Sequence, residues 1–408
     1  MADILFWPPL PTRERLFDQF FRSVWHFLPA VEKFDRLVFP YAGDDVMLLD
    51  QAQIVDMASV YLSRDFDPAI AGYAGQFKNK IAIVPDQTGD PAAYQGPLAG
   101  IIVWYTGDAA LNGAARAIAE RTGAELVWAD IETVQQETLM LIRFAFTLYP
   151  KKQIDDLLSR SVHLFFLHLK RWHGRGVSAF GNGPSLQEVI GRRVDPGPTV
   201  RMICNSTIAD PKARAHLKPE VLFCGDPVQH CGCSLYAGRF RADLATAMAE
   251  DENRVLITQL GFVPYLHAAL PPSTHDRIVG VGNDRTAQFN VDLTSSFYTA
   301  ATANIFTMLV LPVAFSIAKE VDIYGCDGQP FAQATKPWGH AQEDDYMSKM
   351  AVTHRVHPGF WQRNYAEELI SYYDDMDDLL AAAEKAGRTV RNRTPSYVPA
   401  LAKRFRPL

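Results

Sequence analysis

Short β-rich runs alternate with helical segments along most of this 408-residue chain, and that alternation restricts the fold more than any other feature. Parallel strands need a crossover long enough for a helix, so strand–helix–strand repetition builds a parallel sheet covered by helices. Between 35 and 150 the strand signals are "DRLVFPYA", "NKIAIVPD", "AGIIVWYTG" and "ELVWAD", bounded by Gly, Pro or Asp. Between them, "DQAQIVDMASVYLSRDF" puts Ile54, Met57, Ala58 and Tyr61 on one helical face. "DAALNGAARAIAERTGA" reads as a helix ending near Gly123.

The segment "IDDLLSRSVHLFFLHLKRWHGRG" reads as a helix stopped at Gly174 and Gly176, which marks a domain boundary. A second series follows, with strands at 176–180, 199–205, 220–226, 254–259 and 320–328 and a long helix at 297–318. From 358 the chain reads as helical and then as a basic coil rich in Arg and Pro. The expected organisation is an N-terminal α/β domain over 1–173, a Rossmann-like domain over 174–357, and a helical segment with a basic tail over 358–408. The cleft between two such domains is the default ligand position.

Apolar residues at 48% and charged residues at 21% fit a globular chain with a sizeable core. The net charge of −6 provides no basic field for nucleic acid. Five cysteines without a paired framework point to a reducing compartment. The apolar run near the N-terminus is too short for a signal peptide, and "FTMLVLPVAFSIA" (306–318) is too short to span a bilayer and contains Pro312. A cytoplasmic location is expected, free or at the inner-membrane surface.

The stretch "VSAFGNGPSL" (177–186) closes a strand on two glycines, an amide and a hydroxyl, and then opens a helix. Successive backbone N–H groups in such a turn form an anion-sized nest, and a helix N-terminus adds unpaired donors. Pro184 suits the first helical turn, Ser185 can cap it, and Asn182 can donate to an oxygen. The pattern is neither G-x-G-x-x-G nor a Walker loop. An ordinary strand-to-helix turn would use the same residues.

"GNGPSL" after a strand, "ICNS" closing the next, and "LTSSFY" and "IYGCDG" further on resemble the bacterial sialyltransferases that use CMP-activated sugars. The same motifs resemble archaeal-type hydroxymethylpterin pyrophosphokinases. The resemblance covers about residues 176–330. The additional N-terminal α/β domain makes the whole resemble two-domain, GT-B-like glycosyltransferases, in particular the retaining β-Kdo transferases of capsule and O-antigen assembly. The resemblance implies two Rossmann-like domains with parallel sheets and a CMP-sugar donor. It implies Asn182, Gly183 and Ser185 on the CMP phosphate, and Asn205 on the nucleotide or sugar. Thr294, Ser295 and Ser296 would hold phosphate or the donor carboxylate, and Asp327 would join the nucleotide site. As residues alone, Asn205 also reads as a strand-end turn, and the Thr-Ser-Ser run as a helix cap.

Asp226 ends the strand in "FCGDPVQHCGC", where α/β sheets bind their ligands, and Pro227 puts it on a loop. Retaining transfer needs either a nucleophile that forms a covalent adduct or an equivalent internal return, and the resemblance casts Asp226 as that nucleophile; a turn-starting Asp-Pro is the plain alternative. His230, His354 and His357 are candidate acids or bases. Cys224, Cys231 and Cys233 beside His230 match no standard zinc spacing. Asp375 and Asp377 fall within a helical run, so a solvated acidic face is expected and no metal is assigned. The strand ends at 41–45 and 105–108, with Glu132, are candidate acceptor contacts. The expected activity is transfer of an ulosonic acid, Kdo before sialic acid, from CMP to a glycan or lipid-linked acceptor, without a cofactor. A pyrophosphokinase and a non-catalytic nucleotide-binding module are the alternatives. The basic end suits a linker to another glycosyltransferase domain or a peripheral membrane contact.

Overall fold

A computed structural model describes residues 2–44, 51–284, 288–334, 341 and 343–407. They form two compact units, each built on its own parallel sheet. The first unit comprises Met1–Lys151, Pro227–Arg239 and Lys349–Arg363; the second comprises Lys152–Asp226, Phe240–Ser348 and Asn364–Leu408. The sequence-based boundaries after 173 and 357 do not follow this division. The long helix Lys151–Trp172 buries Phe165 and Trp172 in the core of the second sheet, against Val177 and Ala179.

In the first unit β1 (Asp3–Trp7), β2 (Leu37–Tyr41), β3 (Ile81–Pro85), β4 (Leu98–Val103) and β5 (Glu125–Trp128) pair in the order β3-β2-β1-β4-β5. "DILFW" was not expected as a strand, yet it is the central one, with Leu5 opposite both Val38 and Ile101. A strand buried on both faces is apolar throughout and loses the alternation that identifies strands. The helix Arg13–Phe27 is capped by the Thr12 hydroxyl and buries Phe20, Phe21, Val24 and Trp25. The helix Ala109–Thr122 is capped by Asp108 and ends, as expected, at a left-handed Gly123. The segment 50–66, expected as one helix, contains the short helices Gln51–Asp56 and Ala58–Tyr61.

The second unit carries β6 (Val177–Phe180), β7 (Val200–Cys204), β8 (Val221–Phe223), β9 (Val255–Gln259), β10 (Ile278–Asp284), β11 (Tyr298–Ala300), β12 (Glu320–Tyr324) and β13 (Thr389–Asn392). Their order is β11-β10-β9-β8-β7-β6-β12-β13. Alternate residues feed opposite faces: Met202, Val221, Phe223, Val255 and Ile257 join one apolar cluster, and Ile203, Leu222 and Leu256 the other.

Two elements correct the sequence reading. The helix expected at 297–318 begins instead as β11, and its helical part runs as a π-turn, Phe306–Val310, into Leu311–Ile317. Pro312 lacks an N–H and crowds the preceding turn, and widening to a π-turn relieves that crowding. The basic tail is not a coil. It adds β13 alongside β12, and its arginines meet carboxylates: Arg391 to Asp322 at 2.6 Å, Arg393 to Asp322 at 3.3 Å, Arg404 to Glu384 at 2.6 Å. Among the described residues no helix is long and apolar enough to cross a membrane.

Candidate functional site

In the second unit the chain builds outward from β6 through β11 on one side, then returns to place β12 and β13 on the other. The order therefore reverses between β6 and β12, the position where open α/β sheets form a ligand crevice at their carboxyl ends. The glycine turn and the "GCDG" loop meet there. Gly181 donates its N–H to Tyr324 O at 2.7 Å, and Gly183 to Gly325 O at 2.8 Å. A Cβ on Gly181 would lie 2.4 Å from Gly325 O, and one on Gly183 would lie 2.1 Å from Asp327 Oδ2. The glycines thus serve the close approach of two loops.

This contact changes the expected roles of Ser185 and Asp327. The Ser185 hydroxyl donates to Asp327 Oδ2 at 2.8 Å, and its backbone N–H to Oδ1 at 3.1 Å. A carboxylate of the chain itself occupies the donors expected to hold a phosphate. The helix that follows has only six residues, Leu186–Gly191, and Ser185 makes no capping bond to it. Burial pushes the Asp327 carboxyl above its ordinary value, against the two hydrogen bonds from Ser185.

Around this pair lie further polar groups. Asn182 Nδ2 donates to Ser206 Oγ at 3.3 Å, and its carbonyl accepts from Ala341 N at 2.8 Å. Asn205 follows β7 in a left-handed conformation, φ 51°, which Asn tolerates better than most residues. Its Oδ1 is buried and accepts no hydrogen bond among the described residues. Thr394 Oγ1 accepts from Gly325 N at 2.9 Å, and the Ser396 hydroxyl donates to Cys326 O at 2.7 Å. Thr394 and Ser396 escaped the sequence reading, and Ser206, the last residue of "ICNS", was given no role there. The signal for Thr394 and Ser396 is "TPS", a turn one residue after the unrecognised strand β13.

Thr294, Ser295 and Ser296 are exposed and precede β11, so they lie at the amino edge of the sheet, away from the glycine turn. Thr294 turns its N–H and hydroxyl onto Asp292 Oδ1, and no helix follows for the run to cap. At the carboxyl edge, Thr302 and Asn304 take that place. Asn304 Oδ1 accepts from Phe306 N at 2.8 Å, and the Thr302 and Thr307 hydroxyls stand 2.7 Å apart. Asp226 is at the carboxyl edge as expected, just beyond β8 and partly exposed. Asp375 and Asp377 lie in the helix Tyr365–Lys385, and no metal-sized group of ligands occurs among the described residues. All five cysteines are buried thiols.

The three histidines belong to the first unit. His230 is buried in the short helix Pro227–Cys231. His354 is exposed and meets Trp361 edge-on at 6.0 Å. His357 has no exposed surface. Its Nδ1 meets Glu137 Oε1, and its Nε2 is 3.9 Å from Cys233 Sγ. Burial disfavours the imidazolium, but Glu137 and Cys233 outweigh it and raise His357 to about 9. Arg22 extends the cluster, with Nη1 3.5 Å from Cys233 Sγ, Nη2 on Val356 O at 2.5 Å and Nε on Asp18 at 3.0 Å. His357 therefore has no surface open to a substrate in this structure.

Asp108 is spent on its helix cap, and Thr106 donates to Asp130 at 2.7 Å. Glu132 sits in a turn, and the next helix begins only at Glu137. Scans against protein-family models, curated proteins and solved structures find no match to the chain.

Proposed function

We propose that the chain transfers an ulosonic acid, Kdo before sialic acid, from its CMP derivative to a glycan acceptor. The donor would bind at the carboxyl edge of the eight-stranded sheet. The observation that carries this reading is the joining of the β6 and β12 loops at the strand-order reversal, around an acceptor-rich set of polar groups. The Asp327 carboxylate and Asn205 Oδ1 are acceptors, which suit the hydroxyls of a ribose and the amine of cytosine. The phosphate accepts only, so it would draw on the donors of Asn182 and Ser206.

β8 stands two strands from β6, about 10 Å across the sheet at ordinary strand spacing. Asp226 at its end is the proposed nucleophile. Its carboxylate oxygen bonds to the anomeric carbon as the CMP phosphate leaves with the bonding pair. An acceptor hydroxyl then displaces the carboxylate and loses its proton to a base, and two inversions give net retention. The leaving group is a monophosphate, so the reading calls for no metal, and transfer should persist in excess EDTA.

Calorimetric titration of the full chain with CMP, and separately with ATP and Mg²⁺, tests the site. CMP should bind; binding of ATP with Mg²⁺ in its place would favour a pyrophosphokinase. Asp226→Asn should keep CMP binding and lose transfer by orders of magnitude. Incubation with CMP-Kdo and no acceptor should leave a sugar-sized adduct on the 223–233 peptide. Near-native transfer by the variant would remove Asp226 from the mechanism.

A further inference from the structure

The first unit contains a cavity of about 780 Å³ beside the start of the helix Arg13–Phe27, and neither the donor site nor the buried histidine accounts for it. Its volume lies within the range of small-molecule sites. Arg13, Arg15, Arg22 and Arg355 line it. So do Glu14, Asp18, Asp65 and Glu132, so the lining charges balance, four against four.

These charges are already placed against one another. Arg355 meets Asp65 through two bonds of 2.7 and 2.6 Å, Arg22 meets Asp18 at 3.0 Å, and Arg15 approaches Glu132 at 3.9 Å. Hydrogen bonding to Arg355 holds the Asp65 carboxyl below its ordinary value, so the pair stays ionised. Arg22 is buried, and its guanidinium lies over the Phe66 ring at 5.0 Å. Phe17 and Tyr61 add a second aromatic wall, their ring centroids 4.6 Å apart.

A balanced lining offers no net field to an anion, and a phosphate or uronate would be set beside carboxylates. A nucleotide is therefore a poor occupant. A neutral polyol fits each part of the wall. Its hydroxyls donate to the carboxylates and accept from the guanidiniums, and its C–H face lies on the rings. We propose that this cavity binds a neutral pyranose oligosaccharide. Its service as the acceptor site rests on the transferase reading; its saccharide binding does not.

Saturation-transfer NMR and calorimetry on the full chain, without donor, test this with lactose, maltotriose and chitobiose against glucuronic acid. At least one neutral probe should bind, with glucuronic acid weaker. Glu132→Gln should weaken the neutral probe about tenfold, the cost of losing a charged hydrogen-bond partner. Glu132 is exposed, and the variant's melting temperature should match the wild type. Tyr61→Ala should weaken the same probe while CMP affinity is unchanged. Three outcomes would overturn the proposal: no neutral probe binding at millimolar concentration, glucuronic acid binding as tightly, or Glu132→Gln binding unaltered. CMP affinity on the same sample reports the donor site separately, so either reading can fail alone.

Discussion

Ser185 and Asp327 show how a residue's chemistry can be legible while its partner is not. The hydroxyl and N–H of Ser185 were read as donors for an anion, and they are, but the anion is the side chain of Asp327, 142 residues away. No local pattern announces a contact of that separation. Ser185→Ala leaves the Asp327 carboxylate one donor short. The second unit should lose about 1–3 kcal/mol in denaturant melts, more above the carboxylate range than below it, because the charged form is the one left unsatisfied. His357 gives the opposite dependence. Its folded value, about 9, lies above the unfolded value of about 6.5. The pair's stabilisation is full below about pH 6.5 and is lost as pH rises through about 9. Thermal melts from pH 6 to pH 10 should show that decline, and Glu137→Gln should remove it. The same substitution should cost about 3–5 kcal/mol at neutral pH, since it leaves half of a buried pair.

Elements with a clear period and clear stops were readable: β6 to β9, the helix Ala109–Thr122 with its Gly123 cap, and the helix Tyr365–Lys385. Those that failed share a physical cause. β1 is apolar on both faces, and β11 is three residues long against a strongly apolar neighbour that draws the reading toward helix. β13 reads as polar because Arg391 within it and Arg393 just after it are neutralised by residues distant in sequence, chiefly the buried Asp322. Asp322 therefore anchors the tail. Asp322→Ala should leave Arg393 without its carboxylate and Arg391 with only the exposed Glu320, at 2.9 Å, and should destabilise the second unit by about 1–3 kcal/mol. Limited trypsin digestion should then cut at Arg391 or Arg393 in the variant faster than in the wild type. Equal cleavage would mean that the strand pairing with β12 holds the tail by itself.

At the scale of the whole molecule the sequence conveys two α/β sheets but not how the chain is shared between them. Each unit gathers three separate segments, so the chain passes between them five times. Two of the short segments complete the first unit's core from a distance. Pro227–Arg239 brings Cys231 O, which accepts from Trp25 Nε1 at 2.7 Å, and Cys233. Lys349–Arg363 brings His357 to Glu137, and Val356 O to Arg22. A fragment ending at residue 173, the boundary the sequence suggests, would carry Glu137 into the same core without His357, and would leave Arg22 with Asp18 but without Val356 O and Cys233. Leaving the buried Glu137 without its cation costs about 3–5 kcal/mol, and the lost hydrogen bonds of Arg22 and Trp25 add to it, against a total stability of about 5–15 kcal/mol for a domain. Residues 1–173 expressed alone should therefore show secondary structure by circular dichroism but no cooperative thermal transition and poorly dispersed amide resonances. Joining the peptides 227–239 and 349–363 to that fragment through flexible linkers should restore cooperativity. A sharp transition from the bare fragment would show that the sheet and the helix Arg13–Phe27 suffice, and that the distant segments only decorate a unit already folded.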